Sequence, residues 1–202
     1  MSDDQPSFAS LSAADTMLLQ RLQDGERQAI ATLQSRYREE LRLFCQRMLS
    51  GDAAAAEDVV QDVFVACCKV AAESRPTTSL RGWLYQIARR RCIDLIRRRQ
   101  TEGAPRPTAG ARKAAAYEVA VDPLTTPAGR ALKLDRAAHV LKLLENLDED
   151  LRTVIIMRYF QDLPREEIAE AVGLSLAGAK ARLSRAMQIL REQMDQLGDS
   201  GT

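Results

Sequence analysis

Apolar residues recur every three to four positions along most of the chain, which is the periodicity of an amphipathic α-helix. Runs that alternate between apolar and polar residues, as a half-buried strand requires, are lacking. Turn and capping residues divide the pattern: Gly51 and Gly173 end helices, Pro164 suits a first helical turn, and Ser79 and Ser175 suit N-caps. The predicted helices cover residues 13–23, 26–49, 53–71, 79–100, 128–146, 148–160, 164–172 and 175–195.

The helical pattern is interrupted between residues 101 and 127. This stretch holds four of the seven prolines and no sustained apolar period, which is typical of a flexible linker. The sequence therefore predicts an all-α protein of two small helical domains, over residues 13–100 and 128–195, joined by that linker. We expect a disordered N-terminus over residues 1–12 and a short tail over residues 196–202.

Composition narrows the class of protein. The chain of 202 residues carries a net charge of +1, so any affinity for nucleic acid must come from local patches. It has no run of about 18 apolar residues and begins with a polar, acidic segment, so we expect neither membrane insertion nor a signal peptide. Four cysteines without CxxC spacing and a single histidine favour reduced, buried thiols in a cytoplasmic protein over a metal or disulfide site. We expect no catalytic residues, no metal and no cofactor, because nothing resembles a phosphate loop or a paired-carboxylate site.

The clearest segregation of charge lies between residues 164 and 190. The first helix of this pair carries three glutamates, whereas the second, which follows Ser175, carries Lys180, Arg182 and Arg185. Small residues at the start of the second helix would let it approach a duplex, and the basic side chains beyond them could reach phosphates and base edges. The pattern predicts a helix-turn-helix whose second helix enters the major groove. The alternative is an ordinary helical hairpin with a solvated basic face.

Two further faces carry strong charge. The segment from residue 79 to residue 99 contains seven arginines and one acid, Asp94, and its basic outer face with Trp83 and Tyr85 nearby suits contact with DNA. For Trp83 itself, a role as a core anchor is the favoured alternative. The helix near residue 60 has the opposite sign, and its acidic face suits a basic protein partner, unless it is merely solvated.

Three motifs in this order resemble those of bacterial RNA polymerase sigma factors of the extracytoplasmic-function (sigma-70 family, group 4) type. "AEDVVQDVF" resembles the polymerase-docking helix, and "LRGWLYQIARRRCIDLIRRR" resembles the helix that reads the start-proximal promoter element. The stretch from "LDEDLRTVIIMRYF" to "LSRAMQILRE" is similar to the domain that reads the upstream element. The resemblance covers most of residues 13–195 and implies a sigma region 2-like bundle and a sigma region 4-like helix-turn-helix domain.

The resemblance also implies partners and roles. Such proteins are not enzymes; they bind the clamp and flap regions of core RNA polymerase, recognise promoter DNA and help to melt it. Matching positions imply polymerase-binding residues Glu57, Asp58, Gln61 and Asp62. They imply start-proximal DNA-binding residues Arg75, Thr77, Thr78, Trp83, Gln86, Arg89, Arg90 and Arg97, where the loop from Ala72 to Ser79 captures an extruded base. They imply upstream-element residues Ser175, Lys180, Arg182, Ser184 and Arg185.

Two positions depart from the family pattern. Arg90 stands where the family usually has asparagine, and Gly178 and Ala179 stand where it commonly has threonine and valine. Upstream-element specificity is therefore the property least transferable to this chain, and the sequence leaves open the promoters, the inducing signal and an anti-sigma factor. A stand-alone helix-turn-helix repressor or activator with an N-terminal dimerisation or sensing bundle is the alternative function. It would not need the arginine-rich helix.

Overall fold

A computed structural model describes residues 12–70, 79–103 and 139–199, and most of these residues lie in helices. The helices are α1 (Ala13–Gln23), α2 (Arg27–Met48), α3 (Ala53–Val70), α4 (Leu80–Glu102), α5 (139–145), α6 (Glu149–Ile155), α7 (Arg165–Val172) and α8 (Leu176–Asp199). A π-helical turn, Ile156–Phe160, continues α6. The described residues include no strand, so the all-α prediction is confirmed.

Capping residues set the helix boundaries near the predicted positions. The Ser79 hydroxyl accepts a hydrogen bond from the backbone N–H of Gly82 at 3.2 Å, and the Ser175 hydroxyl accepts one from Gly178 at 3.1 Å. Gly173 ends α7 with φ +68°, a left-handed conformation that glycine adopts without strain. Pro164 lies one residue before the first turn of α7 rather than within it.

A single hydrophobic core runs through both halves of the described chain. Helix α4 lies at its centre, packing against α2 and α3 on one side and against α7 on another. The Phe44 and Tyr85 rings meet edge to face with centroids 5.0 Å apart, and Leu144, Met157 and Leu163 of the second half are fully buried. The two predicted domains are therefore in direct contact. The division into domains stays a prediction, because residues 104–138, with most of the predicted linker, lie outside the described residues.

The cysteines belong to this core. Cys45, Cys67 and Cys92 are free and buried, as expected, while the Cys68 side chain lies outside the described part. A hydrogen bond with Cys45, together with burial, raises the pKa of the Cys92 thiol well above its ordinary value. Among the described residues, no group of His, Cys, Asp and Glu side chains could hold a metal ion. None of the described helices is long and apolar enough to cross a membrane.

Candidate nucleic-acid interface

Helix α3 presents the acidic face that the sequence predicts. Asp58, Gln61 and Asp62 are exposed, while the valines on the opposite side are buried. Glu57 is less available, because it forms an ion pair with Arg38 of α2. Val65, which was not among the predicted residues, lies one turn beyond Gln61 and Asp62 and is 57% exposed. The face therefore combines carboxylates with one apolar side chain, a combination that suits a protein surface.

Helix α4 divides the predicted start-proximal residues into two groups. Arg90 and Arg97 are exposed to solvent. Gln86 and Arg89 are partly buried and already have partners in the second half of the chain. The Gln86 side-chain amide donates to the backbone oxygen of Glu170 at 3.3 Å, and Arg89 forms an ion pair with Asp150. Three further predicted residues, Arg75, Thr77 and Thr78, lie outside the described residues.

Trp83, which was predicted as a DNA contact, lies in the core rather than on the basic surface of α4. The indole is only 3% exposed and belongs to the core. A base cannot stack on a ring whose faces are already covered, so in this conformation Trp83 anchors the helix, as the alternative interpretation held. A sequence pattern of aromatic residues followed by arginines does not distinguish a ring that contacts DNA from a ring that anchors the helix in the core, because the ring lies near a basic surface in either case.

Helix α8 has the two faces that its sequence predicts. Ala179, Leu183, Ala186 and Leu190 form the buried stripe. On the other side Lys180, Ser184 and Arg185 are exposed, and Ser175 is exposed at the N-cap. Arg182 differs, because its side chain is 24% exposed and its Nη1 lies 3.4 Å from Oδ2 of Asp150. Most of the basic face is open to solvent, and one arginine is held by the neighbouring helix α6.

Asp150 thereby joins two surfaces that the sequence treats as separate. One carboxylate oxygen faces Arg89 of α4 and the other faces Arg182 of α8. The same region forms a cleft of about 490 Å³, to which Arg97 contributes from α4 and Arg185 from α8. Its acidic side is the first turn of α6, with Asp148, Glu149 and Asp150. Asp150 was not among the predicted residues, because nothing in a local sequence pattern shows which arginine meets which acid.

The acids of α7 also have a structural explanation. Glu167 and Glu170 are partly buried and bind the N-terminal turn of α4, whereas Glu166 is exposed. The sequence contrast between an acidic first helix and a basic second helix therefore reflects two separate features of the structure. One is the packing of α7 against α4, and the other is the open basic face of α8.

Comparisons with known proteins relate two parts of the chain to one family. A family model described as Sigma-70 region 2 matches residues 33–102, and one described as Sigma-70, region 4 matches residues 138–190. The probable RNA polymerase sigma factor RfaY of Xanthomonas campestris is 30% identical over 152 residues, which are 75% of this chain and 37% of that protein. The ECF RNA polymerase sigma factor SigW of Bacillus subtilis is 26% identical over 180 residues, which are 89% of this chain and 96% of that protein. The chain thus spans well under half of RfaY but nearly all of SigW.

Solved structures share the fold. The structure of CnrH in complex with the cytosolic domain of CnrY aligns with a TM-score of 0.61 and 25% identity, covering 91% of this chain and 98% of that one. The sigma factor RpoE of Bartonella quintana, in complex with the anti-sigma factor NepR, aligns with a TM-score of 0.56 and 22% identity. That alignment covers 82% of this chain and 96% of RpoE.

Proposed function

Because the chain belongs to the sigma-70 family, in its extracytoplasmic-function group, we propose that it binds core RNA polymerase and directs it to promoter DNA. The observation that carries this proposal is the ordered pair of family matches over residues 33–102 and 138–190. A region 2 match argues against the alternative repressor, whose N-terminal half would be a dimerisation or sensing bundle. Acting with polymerase, the protein would work in the cytoplasm.

The acidic face of α3 is the proposed docking site for the polymerase clamp. Its exposed carboxylates would repel DNA phosphates, so a basic protein surface is the better partner. Asp58, Gln61 and Asp62 would make the contacts, with Val65 at their edge. Glu57, which forms an ion pair with Arg38, lies on the same helix and would contribute a further carboxylate.

Two basic surfaces are the proposed promoter readers. Arg89, Arg90 and Arg97 of α4, with Gln86, would follow DNA near the start site, next to a loop at Arg75, Thr77 and Thr78 that would hold an extruded base. On α8, Lys180 and Arg182 would contact phosphates, while Ser184 and Arg185 would reach base edges of the upstream element. Ser175 would hold the start of that helix close to the backbone. The domain that contains α8 would also contact the polymerase flap.

An anti-sigma factor is a further proposed partner. CnrH and RpoE, which share the fold, were each solved with a second protein, and the one with RpoE is an anti-sigma factor. The proposed DNA-contacting faces of this chain are the surfaces that such a protein would have to cover to block promoter binding.

Charge reversal on α3 tests the polymerase contact. The variant Asp58→Arg with Asp62→Arg should lose co-purification with core polymerase and retain the helical circular dichroism of the wild type. Repulsion by a basic partner acts at both positions, and such reversals weaken association strongly. Asp24→Arg with Glu26→Arg makes the same change at two exposed acids in the turn between α1 and α2, away from every proposed interface, and serves as the control. Equal recovery of core polymerase by both variants would refute the assignment.

A further inference from the structure

One acid lies in the middle of the basic outer face of α4. Asp94 is exposed, and so are the four arginines that stand three or four positions from it in the sequence. Residues at these spacings are neighbours on a helix, with Cβ atoms about 5–6 Å apart. The four are Arg90, Arg91, Arg97 and Arg98. The proposed DNA contact of α4 therefore has one short carboxylate surrounded by long cationic side chains.

The Asp94 carboxylate is not held by these arginines. In the part of the chain that the structure describes, no ion pair or hydrogen bond joins its oxygens to another side chain. Arg98 instead approaches Glu102, with Nε 2.8 Å from Oε1, and Arg99 pairs with Asp52 at 2.9 Å. Asp94 thus does not stabilise the helix through an ion pair, and its carboxylate is open to a ligand.

An acid at this place weakens DNA binding unless it meets a hydrogen-bond donor. Phosphates repel a carboxylate, so Asp94 opposes the attraction between the neighbouring arginines and any duplex. A carboxylate accepts hydrogen bonds and donates none. In the major groove, the donors that DNA offers are the exocyclic amines of cytosine and adenine. Asp94 can therefore strengthen binding only where one of these amines faces it.

The position of Arg90 favours cytosine as that base. Arg90 lies one turn before Asp94, about 40° away around the helix axis. Arg98 lies at the same angle on the other side, but it is bound to Glu102. A carboxylate accepts from N4 of cytosine, and an arginine donates to both O6 and N7 of guanine. A C·G base pair presents these groups side by side, whereas neither base of an A·T pair offers an arginine two acceptors.

We propose that Asp94 and Arg90 together determine specificity for one C·G base pair in the start-proximal promoter element. Asp94 accepts a hydrogen bond from N4 of the cytosine, and Arg90 donates to O6 and N7 of its guanine. The acid weakens binding to other sequences, so it adds discrimination as well as a contact. The inference rests on the proposed promoter-binding function, and it names the base pair that α4 reads.

Selection of promoter fragments by the holoenzyme tests this pairing. The full chain is bound to core RNA polymerase, a promoter that it transcribes is randomised across the start-proximal element, and the bound fragments are sequenced. The wild type should select C·G at one position. Asp94→Ala should lower that preference about tenfold, as expected for the loss of one good contact to a base edge. It should also raise binding to fragments that lack the C·G pair, because a negative charge is removed.

Asp94→Asn gives a result that a solvated charge would not. Asparagine binds N6 and N7 of adenine, so the preference should move from cytosine toward adenine at the same position. Arg90→Ala should weaken the preference at the same base pair as Asp94→Ala does.

Two variants of α4 are matched controls. Glu102→Ala removes the same charge as Asp94→Ala two turns further along the helix, and Arg91→Ala removes the same charge as Arg90→Ala at the adjacent position. Both should keep the base preferences of the wild type. Circular dichroism checks that every variant is folded.

Three results would overturn the inference. The first is a wild type that selects no C·G pair in this element. The second is a set of base preferences that both Asp94 variants leave unchanged, with binding to all fragments raised equally. The third is a loss of preference at different base pairs in Asp94→Ala and Arg90→Ala. Failure of the proposed function looks different, because the wild type with core polymerase would then select no promoter sequence at all.

Discussion

Arg81 is the side chain whose loss should weaken the fold most among the arginines of α4. Its guanidinium donates to Oε2 of Glu40 in α2 at 2.9 Å, to Oε1 of the same residue at 3.2 Å, and to the backbone oxygen of Gln161. It also lies 5.8 Å from the centroid of the Tyr85 ring. Burial alone would lower the pKa of Arg81, but the hydrogen bonds to Glu40 raise it above its ordinary value. The arginine therefore stays charged and connects α4 with Glu40 of α2 and with the backbone at Gln161.

Arg81→Met keeps the length of the side chain and removes these bonds. Hydrogen bonds to charged groups contribute about 1.5–3 kcal/mol each, but the side chains of Arg81 and Glu40 are 27% and 25% exposed, so water screens them and rehydrates Glu40. We expect a loss of about 2–3 kcal/mol in the free energy of unfolding for the whole cluster. With a slope of about 2 kcal/mol per molar urea, the unfolding midpoint should fall by about 1–1.5 M.

The matched control is Arg21→Met. Arg21 pairs with Glu26 at 2.7 Å, but both side chains are more than 40% exposed, at 41% and 46%, so this pair should contribute less than about 1 kcal/mol. Urea unfolding followed by circular dichroism at 222 nm compares the two variants. If Arg81→Met shifts the midpoint no more than Arg21→Met does, the cluster contributes no more than an exposed pair, and the argument from burial and multiple bonds is refuted.

Two other predictions concern the basic face of α8 and the buried thiols. Lys180→Ala should weaken binding to all duplex sequences and lower the slope of log affinity against log salt concentration by about one unit, whereas Arg185→Ala should cost about 1–3 kcal/mol of binding free energy on the cognate upstream element alone. Titrations of cognate and scrambled duplexes at several salt concentrations test both effects. If both variants match the wild type on both duplexes, α8 does not read DNA. The thiols of Cys45 and Cys92 should resist thiol reagents at pH 8, because burial protects both and the raised pKa of Cys92 keeps that thiol protonated. Mass spectrometry of labelled peptides checks this, and rapid labelling of either residue without denaturant would contradict the burial of this core.

Local features of the fold follow from the sequence because their causes are local. A serine at the start of an apolar stripe and a glycine at its end identify helix boundaries, so Ser79, Ser175 and Gly173 lie where the pattern puts them. The buried stripe of α8 follows from helical spacing in the same way. The π-helical turn at Ile156–Phe160 was not among the predicted features.

The contacts between the halves depend on partners far apart in the chain. Glu170 meets Ser79 across 91 positions of sequence, and a single sequence carries no signal that links them. Gly82 is an indication of the contact in the sequence, because a glycine within a helix lowers its stability and so needs another reason to be there. For the same reason, Gln86 and Arg89 were predicted as open DNA contacts and are found with partners inside the molecule. Arg90 and Arg97, which were predicted in the same set, are exposed.

Transcription with purified components tests the central claim most directly. Bacterial core RNA polymerase, with and without this protein, is incubated with a library of genomic promoter fragments, and the transcript starts are mapped. The account predicts discrete start sites that appear only when the protein is present and that are lost with Asp58→Arg and Asp62→Arg. If the folded wild-type protein produces no start sites beyond those of the core enzyme alone, this chain does not act as a sigma factor.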